Sequence, residues 1–155
     1  MYNRTLGILT ALGNKSGIAD QYGNLGLVCR KRGDYGRAED LHRKSLALHS
    51  EAGYRKAMGL DYGHLGAVHK IRGDWERAGA MFGKELEIAE SLGNRRRAAA
   101  VRLDLGSVFR AKGEFDRAAA QYERAREIFA SLGDGSGLEA ANEGLDAVNI
   151  GRERP

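Results

Sequence analysis

Residues 32–38 read Arg-Gly-Asp-Tyr-Gly-Arg-Ala, residues 72–78 read Arg-Gly-Asp-Trp-Glu-Arg-Ala, and residues 112–118 read Lys-Gly-Glu-Phe-Asp-Arg-Ala. The interval between these stretches is 40 residues in both cases. Other columns keep the same interval, namely Gly13, Gly53, Gly93 and Gly133, and also Leu25-Gly26, Leu65-Gly66 and Leu105-Gly106. Unlike columns that share one period indicate an internal repeat and predict a stacked array of similar structural units.

Each repeat is predicted to form two helices. In the middle repeat, apolar residues recur at helical intervals: Ala78, Met81, Phe82, Leu86, Ala89 and Leu92. Gly73 suits the left-handed end of one helix, and Asp74 suits the N-cap of the next. The pattern predicts first helices near 15–31, 55–71 and 95–111, and second helices near 35–51, 75–91 and 115–131.

The 155 residues therefore form one array with an incomplete repeat at each end. We predict a half repeat at 1–12, whole repeats at 15–52, 55–92 and 95–132, a C-terminal capping helix at 135–149, and a tail at 150–155. The last helix suits a terminal cap because its outer positions are polar, whereas the first half repeat lacks such a face. An excerpt from a longer array would show this asymmetry.

The conserved columns within the chain resemble the tetratricopeptide repeat. The middle repeat carries that pattern in Leu65, Gly66, His69, Gly73, Ala78 and Phe82. Because the repeat has 40 residues and not the usual 34, it is more similar to the long-helix variety in kinesin light chain and Pins-type adaptors. The resemblance implies an all-α, right-handed superhelical array of antiparallel helix pairs whose first helices line a concave groove.

Composition and motifs argue against catalysis, cofactors and metals. The chain lacks the Gly-x-Ser-x-Gly, phosphate-loop and His-Glu-x-x-His patterns, so we predict no enzyme and no cofactor. Its four His and single Cys lack the paired spacing of zinc motifs, which predicts no metal site. Cys29, His42 and His69 fall in core columns and are expected to pack in the interior. No apolar run is long enough to span a membrane.

Two short motifs have structural explanations. The Arg-Gly-Asp stretches at 32–34 and 72–74 fall in helix–helix turns, where Gly ends one helix and Asp caps the next. This explanation is favoured over adhesion recognition. The run Arg95-Arg96-Arg97 opposes the dipole at a helix start and is expected to be a solvated, tolerated run.

The resemblance places a set of first-helix positions on the concave groove: Gly23, Asn24, Leu27, Arg30, Gly63, His64, Ala67, Lys70, Leu103, Asp104, Ser107 and Arg110. In the related adaptors, asparagines in the column of Asn24 hold the backbone of an extended peptide. Gly23 and Gly63 are expected to leave an open groove floor, with drift at tolerant sites as the alternative. The cationic column complements the helix dipoles, and capture of an acidic partner is the alternative.

These features predict a non-catalytic protein–protein interaction scaffold that binds a peptide or protein segment in its groove. One alternative is self-association, in which half repeats of different chains complete one another. Nucleic-acid binding is less favoured because the net charge is only +4 and exposed interleaved aromatics are lacking. The single cysteine predicts a cytoplasmic protein, and arginine-rich, alanine-rich usage predicts a bacterial source.

Overall fold

The computed structural model describes residues 14–153, and the predicted half repeat at 1–12 lies outside this part of the chain. The described residues form helices and no strands. The helices are α1 (Lys15–Lys31), α2 (Tyr35–Glu51), α3 (Arg55–Ile71), α4 (Trp75–Ser91), α5 (Arg95–Ala111), α6 (Phe115–Ser131) and α7 (Gly135–Arg152). Helices α1 to α6 have the predicted bounds, and each packs against the next along the chain. The fold is an all-α array of stacked helix pairs.

The last helix is longer than predicted. Helix α7 continues to Arg152, so that residues 150–152 are helical and do not belong to a tail. Its final turn packs on the start of α6: a methyl group on Gly151 would lie 2.5 Å from Phe115 Cε1, and Arg152 pairs with Asp116. This contact extends the helix by three residues beyond its predicted end.

The turns between helices share one geometry. Gly33 and Gly73 have φ angles of 80° and 73°, in the left-handed region that favours glycine. Asp34 then accepts a hydrogen bond from the Arg37 N–H at 3.1 Å, and Asp74 accepts one from the Arg77 N–H at 3.2 Å. The Arg-Gly-Asp stretches therefore end one helix and cap the next, as predicted.

A glycine in each first helix allows the paired helices to approach closely. A methyl group on Gly66 would lie 2.7 Å from Phe82 Cε1 on the facing helix. Gly26 meets His42, and Gly106 meets Tyr122, at the same distance. This column of glycines is required by packing inside each helix pair.

The interior is divided into small clusters along the array. In the middle of the array, buried Phe82 packs with Val101, Leu105 and Val108. Further along, Phe129 packs with Ala99, Ala125 and Ala141. Cys29, His42 and His69 are buried, as predicted. None of the helices within residues 14–153 is both long and apolar enough to cross a membrane.

Arg95 and Arg96 at the start of α5 are exposed, as expected for a solvated run, but the three arginines of the run also bond neighbouring elements. Arg95 donates a hydrogen bond to Ser131 at 2.8 Å, Arg96 pairs with Asp134, and Arg97 Nε donates to Glu85 at 2.6 Å. The three side chains reach α6, the N-cap of α7 and α4. They offset the unfavourable dipole at the helix start by joining α5 to its neighbours.

Candidate functional site

The predicted groove residues lie on the face built by the first helices α1, α3 and α5 together with α7, which we call the first-helix face. Helix α1 contacts α3, and α5 contacts α7, so these elements are neighbours across repeats. Two clefts open on this face. Most of the predicted residues line one cleft or the other, whereas Arg30, Gly63 and Ala67 line neither.

The first cleft has a volume of 450 Å³ and lies between α1 and α3. Its walls combine the predicted Gly23, Asn24, Leu27 and His64 with other residues: Asp20, Gln21, Ser45, His49, Ala57, Leu60 and Asp61. Asn24 is exposed, so its side-chain amide can reach a ligand. Leu60 is also exposed and supplies an apolar contact at the same opening. The cleft can therefore offer both hydrogen bonds and apolar surface.

The second cleft has a volume of 350 Å³ and lies among α3, α5, α6 and α7. It is lined by the predicted Lys70, Leu103, Asp104, Ser107 and Arg110, and by Tyr122, Ala140, Glu143, Gly144 and Ala147. Helix α7, which was predicted as a cap, thus also forms one wall of a cleft.

Two predicted groove residues bind each other. Lys70 Nζ on α3 donates a hydrogen bond to Asp104 Oδ1 on α5 at 2.8 Å. The pair is partly exposed, so its contribution to stability is modest. Because opposite charges are joined here, this part of the face does not present the unpaired cation that the sequence pattern suggested.

Gly63 does not provide an open groove floor, and that expectation was wrong. Gly63 is buried, and a methyl group on it would lie 2.5 Å from Glu85 Oε2 and 2.7 Å from Oε1. Gly23 has ordinary contact distances, with Ser45 Oγ 3.4 Å from such a methyl group. The column therefore faces the second helix of its own repeat, and in the middle repeat it makes room for a buried carboxylate.

The cationic column has different surroundings in each repeat. Arg30 lies beside the imidazoles of His42 and His64, and its Nε is buried without a hydrogen-bond partner among residues 14–153. Arg110 is exposed and lines the second cleft together with Tyr122. All three cations stand in the last turn of their helices, where they complement the helix dipole.

A buried polar group that the sequence analysis missed adjoins the first cleft. His42, His49, Asp61 and His64, which we call the histidine cluster, join α2 to α3. His49 Nδ1 lies 2.7 Å from Asp61 Oδ2, and the ring centroids of His42 and His64 are 4.8 Å apart. Ser45 lies beside the cluster and donates a hydrogen bond to the Ala19 carbonyl oxygen at 2.9 Å. The signal in the sequence was His49 and Asp61 in columns that hold Phe129 and Val101 in the third repeat.

Burial controls the protonation of this cluster. It lowers the pKa of His42 to about 4, and the neighbouring His64 and Arg30 act in the same direction. Burial likewise lowers the pKa of His64 to about 4, together with the charges of Arg30 and Arg97. It raises the pKa of Asp61, against the opposing effect of the His49 hydrogen bond. At neutral pH both imidazoles of His42 and His64 are uncharged.

Family models identify the fold family from the sequence. A tetratricopeptide repeat model matches residues 59–131, and a second one matches residues 21–53. Together they span more than half of the chain. The chain belongs to the tetratricopeptide repeat family. Domains of this family are generally non-catalytic scaffolds for protein interactions. No curated protein matches the sequence.

Solved structures show the same architecture at low sequence identity. A putative kinesin light chain of Podosopora anserina with nearly identical TPR-like repeats has a TM-score of 0.82 and 13% identity, covering 97% of this chain and 75% of that one. BtubC (BKLC) of P. vanneervenii has a TM-score of 0.68 and 18% identity, covering 92% and 68%. The Sgt2 TPR domain of Aspergillus fumigatus has a TM-score of 0.58 and 21% identity, covering 88% and 85%. The predicted likeness to kinesin light chain repeats is confirmed for the fold.

Proposed function

We propose that this tetratricopeptide repeat protein binds a segment of a partner protein along its first-helix face, in the two clefts described above. The observation that carries the proposal is the position of these clefts. Both open on the face that the resemblance to tetratricopeptide repeats assigned to the groove, and they contain most of the residues predicted for ligand contact. A preformed surface of this kind lowers the ordering cost of binding.

The chemistry of the first cleft suits an extended main chain. Asn24 presents a donor and an acceptor, which is what a peptide unit needs from a side chain. Leu27 and Leu60 offer apolar contacts for side chains of the bound segment. Asn24 is therefore proposed to hold backbone, with specificity coming from the residues around it.

Charge pairing limits how acidic the partner needs to be. Lys70 is neutralised by Asp104, whereas Arg30 and Arg110 form no salt bridge within residues 14–153, and exposed Arg110 lines the second cleft. We propose a segment that carries isolated acidic residues and is not uniformly acidic. Its affinity then depends moderately on salt, because only exposed charges are screened.

The test uses photo-crosslinking from defined positions in the native host. A crosslinking amino acid replaces Asn24 in one protein and Ser107 in another, and a matched control replaces exposed Glu87 on α4. The two groove positions should capture the same partner, and the control should not. Equal capture from Glu87 would contradict groove binding.

The captured segment is then made as a synthetic peptide for affinity measurements. Asn24→Ala combined with Lys70→Ala should weaken its binding at least about tenfold, which corresponds to the 1.4 kcal/mol lost with about one good hydrogen bond. Unchanged affinity in this double variant would show that the segment docks elsewhere.

Self-association through the ends is the alternative. The outer positions of α7 that were predicted to form a polar cap are all exposed: Glu139, Asn142, Glu143 and Asp146. A polar outer face is typical of a terminal repeat and unsuited to pairing. We therefore expect a molecular mass by light scattering that does not change with concentration; a rise toward the dimer would favour self-association. The cytoplasm and a bacterial source stay predictions from residue usage.

A further inference from the structure

We propose that His42, Asp61 and His64 bind a divalent transition metal ion, with Zn²⁺ as the best-suited ion. One donor atom from each residue lies within 4.8 Å of the others. Imidazole nitrogen and carboxylate oxygen are the ligands that zinc takes in open sites with three protein ligands. The site does not depend on the proposed groove ligand, since the metal alone can be tested.

The three donors come together because two repeats meet here. Asp61 and His64 are three residues apart on α3, so they share one helix face. His42 projects toward them from α2, where it packs on Gly26. The pairing is thus formed across the boundary between repeats, which explains why the spacing along the sequence predicted no metal site.

His42 is the strongest indication of a ligand. The side chain is 0% exposed, yet neither ring nitrogen bonds any group of residues 14–153. The buried Nδ1 of His64 also lacks a partner within that range. Buried polar atoms are normally hydrogen-bonded, so these unpaired nitrogens are free to bind an ion. Both ring nitrogens of buried His69 also lack partners among residues 14–153, but His69 belongs to no group of three possible ligands in that range.

Metal binding requires only a small decrease in the distances between the three donor atoms. Zinc–nitrogen bonds of about 2.0–2.1 Å place tetrahedral donors roughly 3.4 Å apart. The donors here spread to 4.8 Å, and the half-buried His64 can rotate to shorten that distance. Asp61 is already oriented, because His49 Nδ1 lies 2.7 Å from its Oδ2. Carboxylates that bind a metal are themselves hydrogen-bonded by neighbouring groups, as Asp61 is here.

A fourth coordination position would open into the first cleft. Asp61 and His64 both line that cleft, which supplies an entry path for the ion. Water, or a side chain of a bound segment, could occupy the fourth position.

The charges near the cluster allow a cation site to be distinguished from an anion site. Arg30 lies beside His42 and His64 and repels a cation, while Asp61 attracts it. Replacing Arg30 by glutamine should therefore strengthen metal binding. If the cluster instead served an anion, the same substitution would weaken binding, since it removes the cationic group nearest to the histidines.

The experiment titrates the tag-free, chelator-treated full chain with ZnCl₂ by calorimetry, and with Co²⁺ by visible absorption. We expect one bound ion and a four-coordinate cobalt spectrum. His64→Ala and Asp61→Asn should lower the affinity at least about tenfold, whereas Arg30→Gln should raise it. His69→Gln removes a buried histidine outside the cluster and should leave the affinity unchanged. Circular dichroism verifies that each variant is helical.

Three results would overturn the proposal. The first is a wild-type dissociation constant for zinc of about 1 mM or weaker. The second is equal affinity in the wild type and in both ligand variants. The third is weaker zinc binding in Arg30→Gln, a result that does not depend on whether the alanine variant folds.

Discussion

The first and third repeats have the same backbone plan and opposite interiors. Ser45, His49 and Asp61 are buried in the first repeat and its boundary with the second. The residues 80 positions later are Ala125, Phe129 and Ala141, which are equally buried. The stacking of helices is therefore fixed by the glycines in the turns, by the N-caps, and by the glycines at which paired helices approach closely. The residues buried between repeats are free to differ. In this chain that freedom gives a polar first repeat and an apolar third one.

The largest effect should come from emptying the apolar interior. Phe129→Ala removes a ring that packs on Ala99, Ala125 and Ala141, and we expect a loss of about 3–5 kcal/mol in the free energy of unfolding. His49→Ala, at the equivalent position, should cost about 1–3 kcal/mol, mainly because Asp61 loses its partner. Urea denaturation measures both. A larger loss for His49→Ala than for Phe129→Ala would contradict the contrast between repeats.

Lowering the pH should decrease the stability of the polar first repeat through its buried histidine. The folded-state pKa of His42 is about 4, below the 6.5 of an unperturbed histidine, so between these values the unfolded chain binds the proton. Stability is therefore complete above pH 6.5 and falls as the pH drops toward 4, by about 3 kcal/mol for this residue. Asp61 and Glu85, whose pKa values burial raises, act in the opposite direction.

His42→Phe isolates this contribution, because Phe82 occupies the equivalent position against Gly66 in the middle repeat. Urea midpoints measured from pH 7.5 to 4.5 should fall less steeply in the variant than in the wild type. Parallel pH profiles would show that His42 does not titrate as described.

The middle repeat is intermediate, since it holds one buried carboxylate. Glu85 is 2% exposed, and its Oε1 accepts a hydrogen bond from Arg97 Nε at 2.6 Å. Arg97→Ala should cost about 1–3 kcal/mol because it leaves this carboxylate unpaired. Adding Glu85→Ala, which reproduces Ala125 of the third repeat, should restore much of the loss in thermal or urea unfolding. Additive losses in the double variant would argue against the pair.

The smallest effect concerns helix starts. Asn94 and Asp134 cap α5 and α7 through their side chains, whereas Tyr54, at the equivalent position before α3, makes no such bond. Tyr54 is half exposed, so Tyr54→Asn loses little packing and should stabilise the chain by about 0.5–1 kcal/mol. The melting temperature of Asn94→Ala, which removes an existing cap, provides the reverse control and should decrease.

The helices and turns could be predicted because each is specified locally. A glycine with positive φ and a following cap are visible in the sequence, and the 40-residue period repeats them. The site could be predicted only in part, because its contacts join different repeats. Nothing local indicates that Lys70 binds Asp104 or that Arg97 reaches Glu85. These pairings depend on the stacking angle between repeats, which the period does not contain.

If a partner segment binds the first-helix face as proposed, the Lys70–Asp104 ion pair would couple that binding to the shape of the array. It joins α3 of the second repeat to α5 of the third across the first-helix face. A carboxylate of a bound segment that recruits Lys70 must displace Asp104, and this releases one of the ties between adjacent repeats. Asp104 and the ligand carboxylate then compete for the Lys70 ammonium group. An acidic ligand at this position would therefore loosen the packing between the two repeats as it binds.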